Sequence, residues 1–240
     1  MKFCSVGCSP ASVGNAMGTL LGMFAKHWTP GRAKTRLAAE IGKQPAAEVH
    51  RLFVTALLQR FSGLADERVL AFDPPECRSD FQQEAGAAWQ PLSQGSGDLG
   101  QRMEAFFAAG LARAKHVVLI GSDSPDLPAN CIAEAFEHLN DAEVVLGPAA
   151  DGGYYLVGAA GSMPPIFSDM PWSTAELWPQ TVRRLIEAGC RWHALPQWYD
   201  VDTAIDLTQL RMRLRHCQGN DLRLVSLADE LTSLLGDAPG

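Results

Sequence analysis

The chain is short of positive charge: 20 lysines and arginines stand against 27 aspartates and glutamates, for a formal net charge of −7. That balance argues against a general affinity for nucleic acid or anionic membrane, since both need a basic excess. Any anionic ligand must be gripped by a local cluster of cations. No apolar stretch is long enough to cross a bilayer, so no membrane partner is expected. The six cysteines (Cys4, Cys8, Cys77, Cys131, Cys190 and Cys217) include no C-x-x-C pair. Free thiols in a reducing, cytoplasmic compartment fit that scatter better than a disulfide framework or a zinc site. After Met1-Lys2-Phe3 no apolar run follows, so a signal peptide is not expected. Residues 1–18 read as a disordered extension, with Met17 as an alternative start. There is no internal repeat and no low-complexity linker.

What is present is an ordinary globular composition, 47% hydrophobic and 20% charged over 240 residues. One domain of that length buries roughly 70–75% of its unfolded surface without a staple. From residue 19 onward short apolar runs alternate with helix-period stretches. Strands are expected at 20–25, 68–72, 117–120, 144–146, 154–157 and 192–195. Helices are expected at 46–61, 99–114 and 129–139, with further ones from Ser173 to about Ala188 and from Thr203 through Arg215. Three capping boxes mark helix starts: Asp98 with Gln101, Ser173 with Glu176, and Thr203 with Asp206. The last residues, 217–240, read as a tail with one helix around 222–235. The wholly apolar run 117–120 is of the kind buried on both faces of a parallel sheet. Alternating strands and helices imply a mostly parallel sheet with right-handed crossovers, helices on both faces, and ligands bound beyond the strands' carboxyl ends.

The unusual residues fall at those ends. Lys26, Arg32, Lys34 and Arg36 cluster after the first strand, with no acid before Glu40. A Pro30-Gly31 turn and a following helix make that loop a phosphate cradle, the competing reading being a solvated basic loop. After the apolar strand comes Gly121-Ser122-Asp123, where Asp123 can hold a hard cation such as Mg²⁺. Ser124 and Asp126 also suit turn or cap roles. Asp151-Gly152-Gly153 lets backbone approach a ligand closely, or is simply a hairpin turn. Asp202, just ahead of the Thr203 cap, is either a second metal ligand or favourable charge at a helix N-terminus.

In order, these segments resemble the GT-A nucleotide-diphospho-sugar transferase superfamily, and within it the glycosyltransferase-like branch known as domain of unknown function 2064. Its motifs stand here as F-A-K at 24–26, P-G-x-x-K-T-R-L at 30–37, G-D-L-G-x-R-M at 97–103, G-S-D-x-P-x-L-P at 121–128, D-G-G-Y-Y-L-x-G at 151–158, M-P-W-S-T at 170–174 and D-x-D-T-x-x-D-L at 200–207. The resemblance spans about four fifths of the chain and implies a Rossmann-like GT-A domain over 19–216. It implies that Asp123 and Asp202 hold Mg²⁺ (or Mn²⁺) and that Lys34 and Arg36 hold nucleotide phosphates, with Lys34, Asp123 and Asp202 as the catalytic set. Phe24, Ala25, Lys26, Gly31 and Ser122 complete the expected nucleotide site. Asp151, Gly152, Gly153, Trp172 and Ser173 form the expected acceptor side, where Trp28 and Tyr154 are further aromatic candidates. One departure stands out. The paired glycines usual after strand one in sugar nucleotidyltransferases are replaced by Gly22 and Gly31, with His27 and Trp28 between them.

The expected partners are a nucleotide and a small-molecule acceptor, with a homodimer left open. Transfer of a nucleotidyl group from a nucleoside triphosphate to a phosphorylated acceptor is favoured, because Lys34 and Arg36 suit a terminal phosphate. Phospholactate guanylyltransferases, which pair a K-S-R-L loop with an Asp-Gly-Gly segment, are similar in this respect. Glycosyl transfer from a nucleotide-sugar and non-catalytic nucleotide binding are the alternatives.

Overall fold

The computed structural model describes residues 17–216 and 221–236. Residues 1–16 of the expected 1–18 extension and Cys217 lie outside them, while Met17 and Gly18 are the first residues of a strand. The first strand, β1 (Met17–Lys26), is followed by two helices, α1 (Thr35–Ile41) and α2 (Lys43–Arg60). Then come β2 (Glu67–Asp73), a 3-10 turn (Pro75–Cys77), α3 (Arg78–Ala85) and β3 (Gln90–Ser93). The middle of the chain forms α4 (Leu99–Leu111), β4 (Ala114–Ile120), α5 (Ala129–His138), β5 (Val144–Pro148) and β6 (Tyr154–Ala160). The last elements are α6 (Leu177–Glu187), β7 (Trp192–Ala194), α7 (Ala204–His216) and α8 (Leu222–Leu235).

The strands form one sheet in the order β3-β2-β1-β4-β6-β5-β7. β1 pairs parallel to both β2 and β4, and β5 parallel to β7. Only β6 runs against its neighbours, because a tight Asp151-Gly152-Gly153 hairpin returns the chain from β5 directly. There Asp151 Oδ1 accepts from the Gly153 N–H at 2.9 Å, and Gly152 takes φ of +94°, a region open to glycine. From β1 the chain winds outward through β2 and β3, and on the other side through β4. The crevice between the carboxyl ends of β1 and β4 is therefore the topological switch point, where open α/β sheets bind ligands.

Strand alternation builds two cores. Val118 and Ile120 of β4 pack with α2, α3 and α5 on one face, while Val117 and Leu119 pack with α4 on the other. Gly22 sits mid-strand because a Cβ there would lie 2.2 Å from the Phe106 ring, which covers β1. That glycine serves packing rather than a phosphate loop. A third core joins α1, α2, α7 and α8 through Leu37, Phe53, Leu210 and Leu227. The C-terminal helix is thus part of the packed domain.

The Asp98–Gln101 capping box is present, and Asp206 accepts from the Thr203 N–H at 2.8 Å while the Thr203 hydroxyl accepts from the Asp206 N–H. The Ser173 box is not: Ser173 takes φ of +62°, Thr174 turns back to the Pro171 carbonyl, and α6 starts only at Leu177. The sequence reading also passed over α3 and β3. α3 buries only Phe81 and Ala85, and β3 is a four-residue edge strand containing Pro91, so neither has a strong period.

Candidate functional site

The loop after β1 turns at Pro30-Gly31, where Arg32 N–H donates to the Thr29 carbonyl at 2.9 Å and Gly31 has φ of +84°. It ends at Lys34, which adopts a left-handed backbone (φ 49°, ψ 47°) unusual for a residue with a side chain. That conformation, costing about 1–2 kcal/mol, turns the lysine inward. Its ammonium donates to the Val201 carbonyl at 2.7 Å and to Asp202 Oδ1 at 3.3 Å, and it forms an ion pair with Asp123 Oδ1. The Lys34 side chain is 2% exposed, whereas Arg36, 3.5 Å from Asp202 Oδ2, is 66% exposed. The two cations of the expected cradle therefore differ in setting: Arg36 meets solvent, and Lys34 is an interior ion, though both line the cleft.

Two loops supply the acids. Asp123 follows β4, and its carbonyl accepts from the Val201 N–H at 2.9 Å, tying the loop to the segment ahead of α7. Ser124 Oγ adds a second tie, donating to Asp200 Oδ1 at 2.8 Å. One ammonium nitrogen touches both Asp123 and Asp202, so a single ion at that point reaches both carboxylates.

The charges set one another. Burial alone would push the Asp123 carboxyl up, but the Lys34 ammonium beside it holds it below the ordinary carboxylate range. Burial would likewise lower Lys34, and Asp123 and then Asp202 more than reverse this. Asp200 goes the other way. Burial and then the Asp123 charge push it up to about 7, with the Ser124 hydrogen bond offsetting only part. Burial depresses the His50 imidazole, so it is neutral near pH 7; its Nε2 donates to the Lys26 carbonyl at 2.9 Å.

These groups line a cleft of about 460 Å³ over the switch point. Phe24, Ala25 and Lys26 reach it from the end of β1, and Lys34 and Arg36 from the loop. Ser122, Asp123 and Asp202 form its floor, and Asp151, Gly153, Trp172 and Ser173 its far wall. Gly31 and Gly152 do not line it. Gly31 serves its turn, and Gly152 faces Ala175, whose Cα lies 2.8 Å from where a Cβ would stand. The sequence reading missed His50, Gln94, Leu99 and Asp200, which also line the cleft. Asp200 was visible in the D-x-D motif. His50 had no signal, being one polar residue on the apolar face of α2. Gln94 bonds the Ala71 carbonyl at 2.9 Å, a role that only the folded sheet defines.

The donor set at the floor fits a hard divalent cation: two carboxylates and the Val201 carbonyl, all oxygen, meet at one point. Residues 58–174 match the family model described as "Uncharacterized protein conserved in bacteria (DUF2064)". A crystal structure of a candidate nucleotide-diphospho-sugar transferase from Desulfovibrio desulfuricans G20 is 31% identical, with 90% of this chain and 96% of that one covered and a TM-score of 0.80. The chain belongs to the DUF2064 family. More distant members of the fold include a cytidylyltransferase from Leptospira borgpetersenii serovar Hardjo-bovis, 14% identical with a TM-score of 0.58, covering 93% of this chain and 99% of that one. A CMP:2-keto-3-deoxy-manno-octonic acid synthetase complexed with CTP is 13% identical with a TM-score of 0.53, covering 83% and 99%. No protein of curated function matches by sequence. The family's fold is thus the one shared by nucleotide-diphospho-sugar transferases and cytidylyltransferases. Among the described residues no helix is long and apolar enough to cross a membrane.

Proposed function

We propose that this protein transfers a nucleotidyl group from a nucleoside triphosphate to a small phosphorylated acceptor. The observation that carries the reading is the meeting of Lys34, Arg36, Asp123 and Asp202 at the switch point of the sheet. Asp123 and Asp202 would hold Mg²⁺ or Mn²⁺, which when bound stabilises charge growing on the departing diphosphate. Arg36, exposed beside Asp202, and Lys26, exposed at the rim, bind and neutralise phosphate oxygens. Lys34 has two uses for one charge. Without a cation it pairs with both acids; with one, it is released toward the phosphates. The far wall around Trp172, Asp151 and Gly153 receives the acceptor. The fold's occurrence in cytidylyltransferases supports nucleotidyl transfer, and the 31% identical relative's description supports a nucleotide-diphospho-sugar as donor or product.

Calorimetric titration of each nucleoside di- and triphosphate, at fixed Mg²⁺ and followed by product analysis, tests the reading. Charge-assisted phosphate contacts are worth roughly 1.5–3 kcal/mol, so the triphosphate should bind about ten-fold or more tightly than the diphosphate. Equal or tighter binding of a nucleotide-sugar, with release of nucleoside diphosphate, would replace this conclusion with glycosyl transfer. Binding of nucleotides with no product from any acceptor would leave a non-catalytic nucleotide-binding protein.

A further inference from the structure

We propose that His27, Cys77 and Asp80 form a second cation site, apart from the cleft acids and suited to a thiophilic divalent transition ion of the zinc class. Their ligand atoms (an imidazole nitrogen, a thiol sulfur and a carboxylate oxygen) all lie within 4.8 Å of one another. None of the three lines the cleft. A mixed N, S and O set of this kind is what zinc and its neighbours take, at bond lengths of about 2.0–2.3 Å. Tetrahedral ligation needs donors about 3.4–3.8 Å apart, so the 3.0 Å contact between His27 Nε2 and Asp80 Oδ2 must open slightly to admit an ion. Asp80 can supply this, its side chain being 52% exposed.

Local structure prepares the other two donors. Cys77 ends the 3-10 turn and precedes α3, and Asp80 lies three residues on, so both side chains share one face of the first turn. His27 is held by its N–H, which donates to the Asp73 carbonyl at 2.7 Å. Its ring stacks on Trp28 at 4.6 Å and meets the edge of Phe81 at 5.6 Å. His27 Nε2 lies 3.0 Å from Asp80 Oδ2, and Nδ1 lies 2.7 Å from the Thr29 hydroxyl. That hydroxyl serves either tautomer. It donates to Nδ1 while Nε2–H is bound to Asp80, and it accepts from Nδ1–H once Nε2 gives its lone pair to an ion. Metal-bound histidines ordinarily have such an outer partner.

Burial raises the Cys77 thiol above its ordinary range, and the charges of Asp80 and Glu76 add to the effect. An arriving cation therefore has to displace a proton, and the same carboxylates attract it. Once bound, the ion would clip the loop that carries Lys34 to the start of α3. The cysteine spacing in sequence conceals this, because the fold recruits one cysteine with two donors of other types.

The full-length protein, stripped of metal, is titrated with Zn²⁺ by calorimetry in saturating Mg²⁺, then with Co²⁺ while absorbance is followed. The expected result is one equivalent bound and a cobalt–thiolate charge-transfer band. Cys77→Ser should abolish the band and weaken Zn²⁺ by more than the roughly 10–100-fold that loss of an outer partner costs, while Thr29→Val should weaken it about ten-fold. Asp123→Asn should leave both signals intact. His27→Gln gives the same readout should Cys77→Ser unfold. A missing band, a band surviving in Cys77→Ser, or zinc affinity that follows Asp123 instead of Cys77 overturns the proposal and leaves His27 and Asp80 an ordinary hydrogen-bonded pair.

Discussion

One loop, residues 121–128, presents two aspartates to two different cations, and their surroundings differ. Asp123 pairs with Lys34, yet its own side chain is 44% exposed at the floor of the cleft, with protein on every side and an opening above. Asp126 is only 7% exposed. It accepts from the Tyr199 hydroxyl and, at 3.1 Å, from Arg213 Nε, while the Arg213 guanidinium lies 3.8 Å over the Tyr199 ring. The second cluster is more enclosed around its carboxylate, and both of these partners come from α7 or the segment before it. A carboxylate held this way is architecture. The first cluster is charge-balanced but open on one side, and an ion pair that faces a cleft is one that a ligand can replace.

The largest effect expected from that contrast is on turnover. Asp123→Asn should lower kcat by about 10²–10³, the cost usual for losing one electrostatic contributor to a transition state, and should abolish Mn²⁺ binding followed by electron paramagnetic resonance. Unchanged turnover in that variant would place the chemistry elsewhere. Asp126→Ala should do the reverse. Urea unfolding should show a loss of about 2–4 kcal/mol, because Arg213 and Tyr199 lose a buried partner, while nucleotide affinity in the folded protein stays as it was. A folded Asp126→Ala protein with weakened nucleotide binding would merge the two clusters into one site.

Lys34 tests the boundary between them. Removing a buried cation leaves Asp123 and Asp202 facing each other, so Lys34→Met should destabilise the metal-free protein by about 1–2 kcal/mol. Mg²⁺ should restore much of that loss, and should raise the melting temperature of Lys34→Met more than that of the parent. Identical melting curves with and without Mg²⁺ would mean that the acids do not accept an ion there. The smallest effect concerns a third pair that does not line the cleft, Arg60 and Asp221, 2.7 Å apart at the start of α8. Burial would raise the Asp221 carboxyl, but the hydrogen bond and charge of Arg60 hold it below 3.8. Its stabilisation is therefore present above the unfolded value and lost as pH falls through the folded one. Below about pH 4 the difference in stability between the parent and Asp221→Asn should shrink, from a starting value under about 1 kcal/mol because solvent screens the pair.

Much of this was legible in the sequence for definite reasons. β4 announces itself as an apolar run, α8 by its period, and α4 and α7 by reciprocal caps, each a local signal that the fold does not contradict. The cleft acids were legible because Asp123 follows an apolar strand and Asp202 stands just ahead of a helix cap. What the sequence does not carry is the direction of a side chain. Lys34 and Arg36 look alike in a basic loop, and only the left-handed turn at Lys34 sends one inward and leaves the other outside. His50 and Gln94 face the cleft through helix phase and sheet register, which depend on partners far along the chain. Ser173 looks like a cap, but the hairpin at Gly152 packs against Ala175 and delays the helix to Leu177.

The hydrogen bond from Lys34 to Asp202 spans 168 residues, and the one between Asp123 and Val201 closes the same floor from the middle of the chain. This has a consequence for synthesis. A chain leaving the ribosome from its N-terminus displays Lys34 early, and β1 can pair with β2 and then with β4 before any residue near 200 exists. Through that interval the lysine has only Asp123 of its three polar partners, and the crevice has no complete floor. Loops that close over such separations form late, after the local contacts that restrict them. The floor of the cleft is therefore among the last parts of the molecule to take shape, and a chain released before residue 202 has a sheet that can form but cannot gather the charges that meet at the switch point.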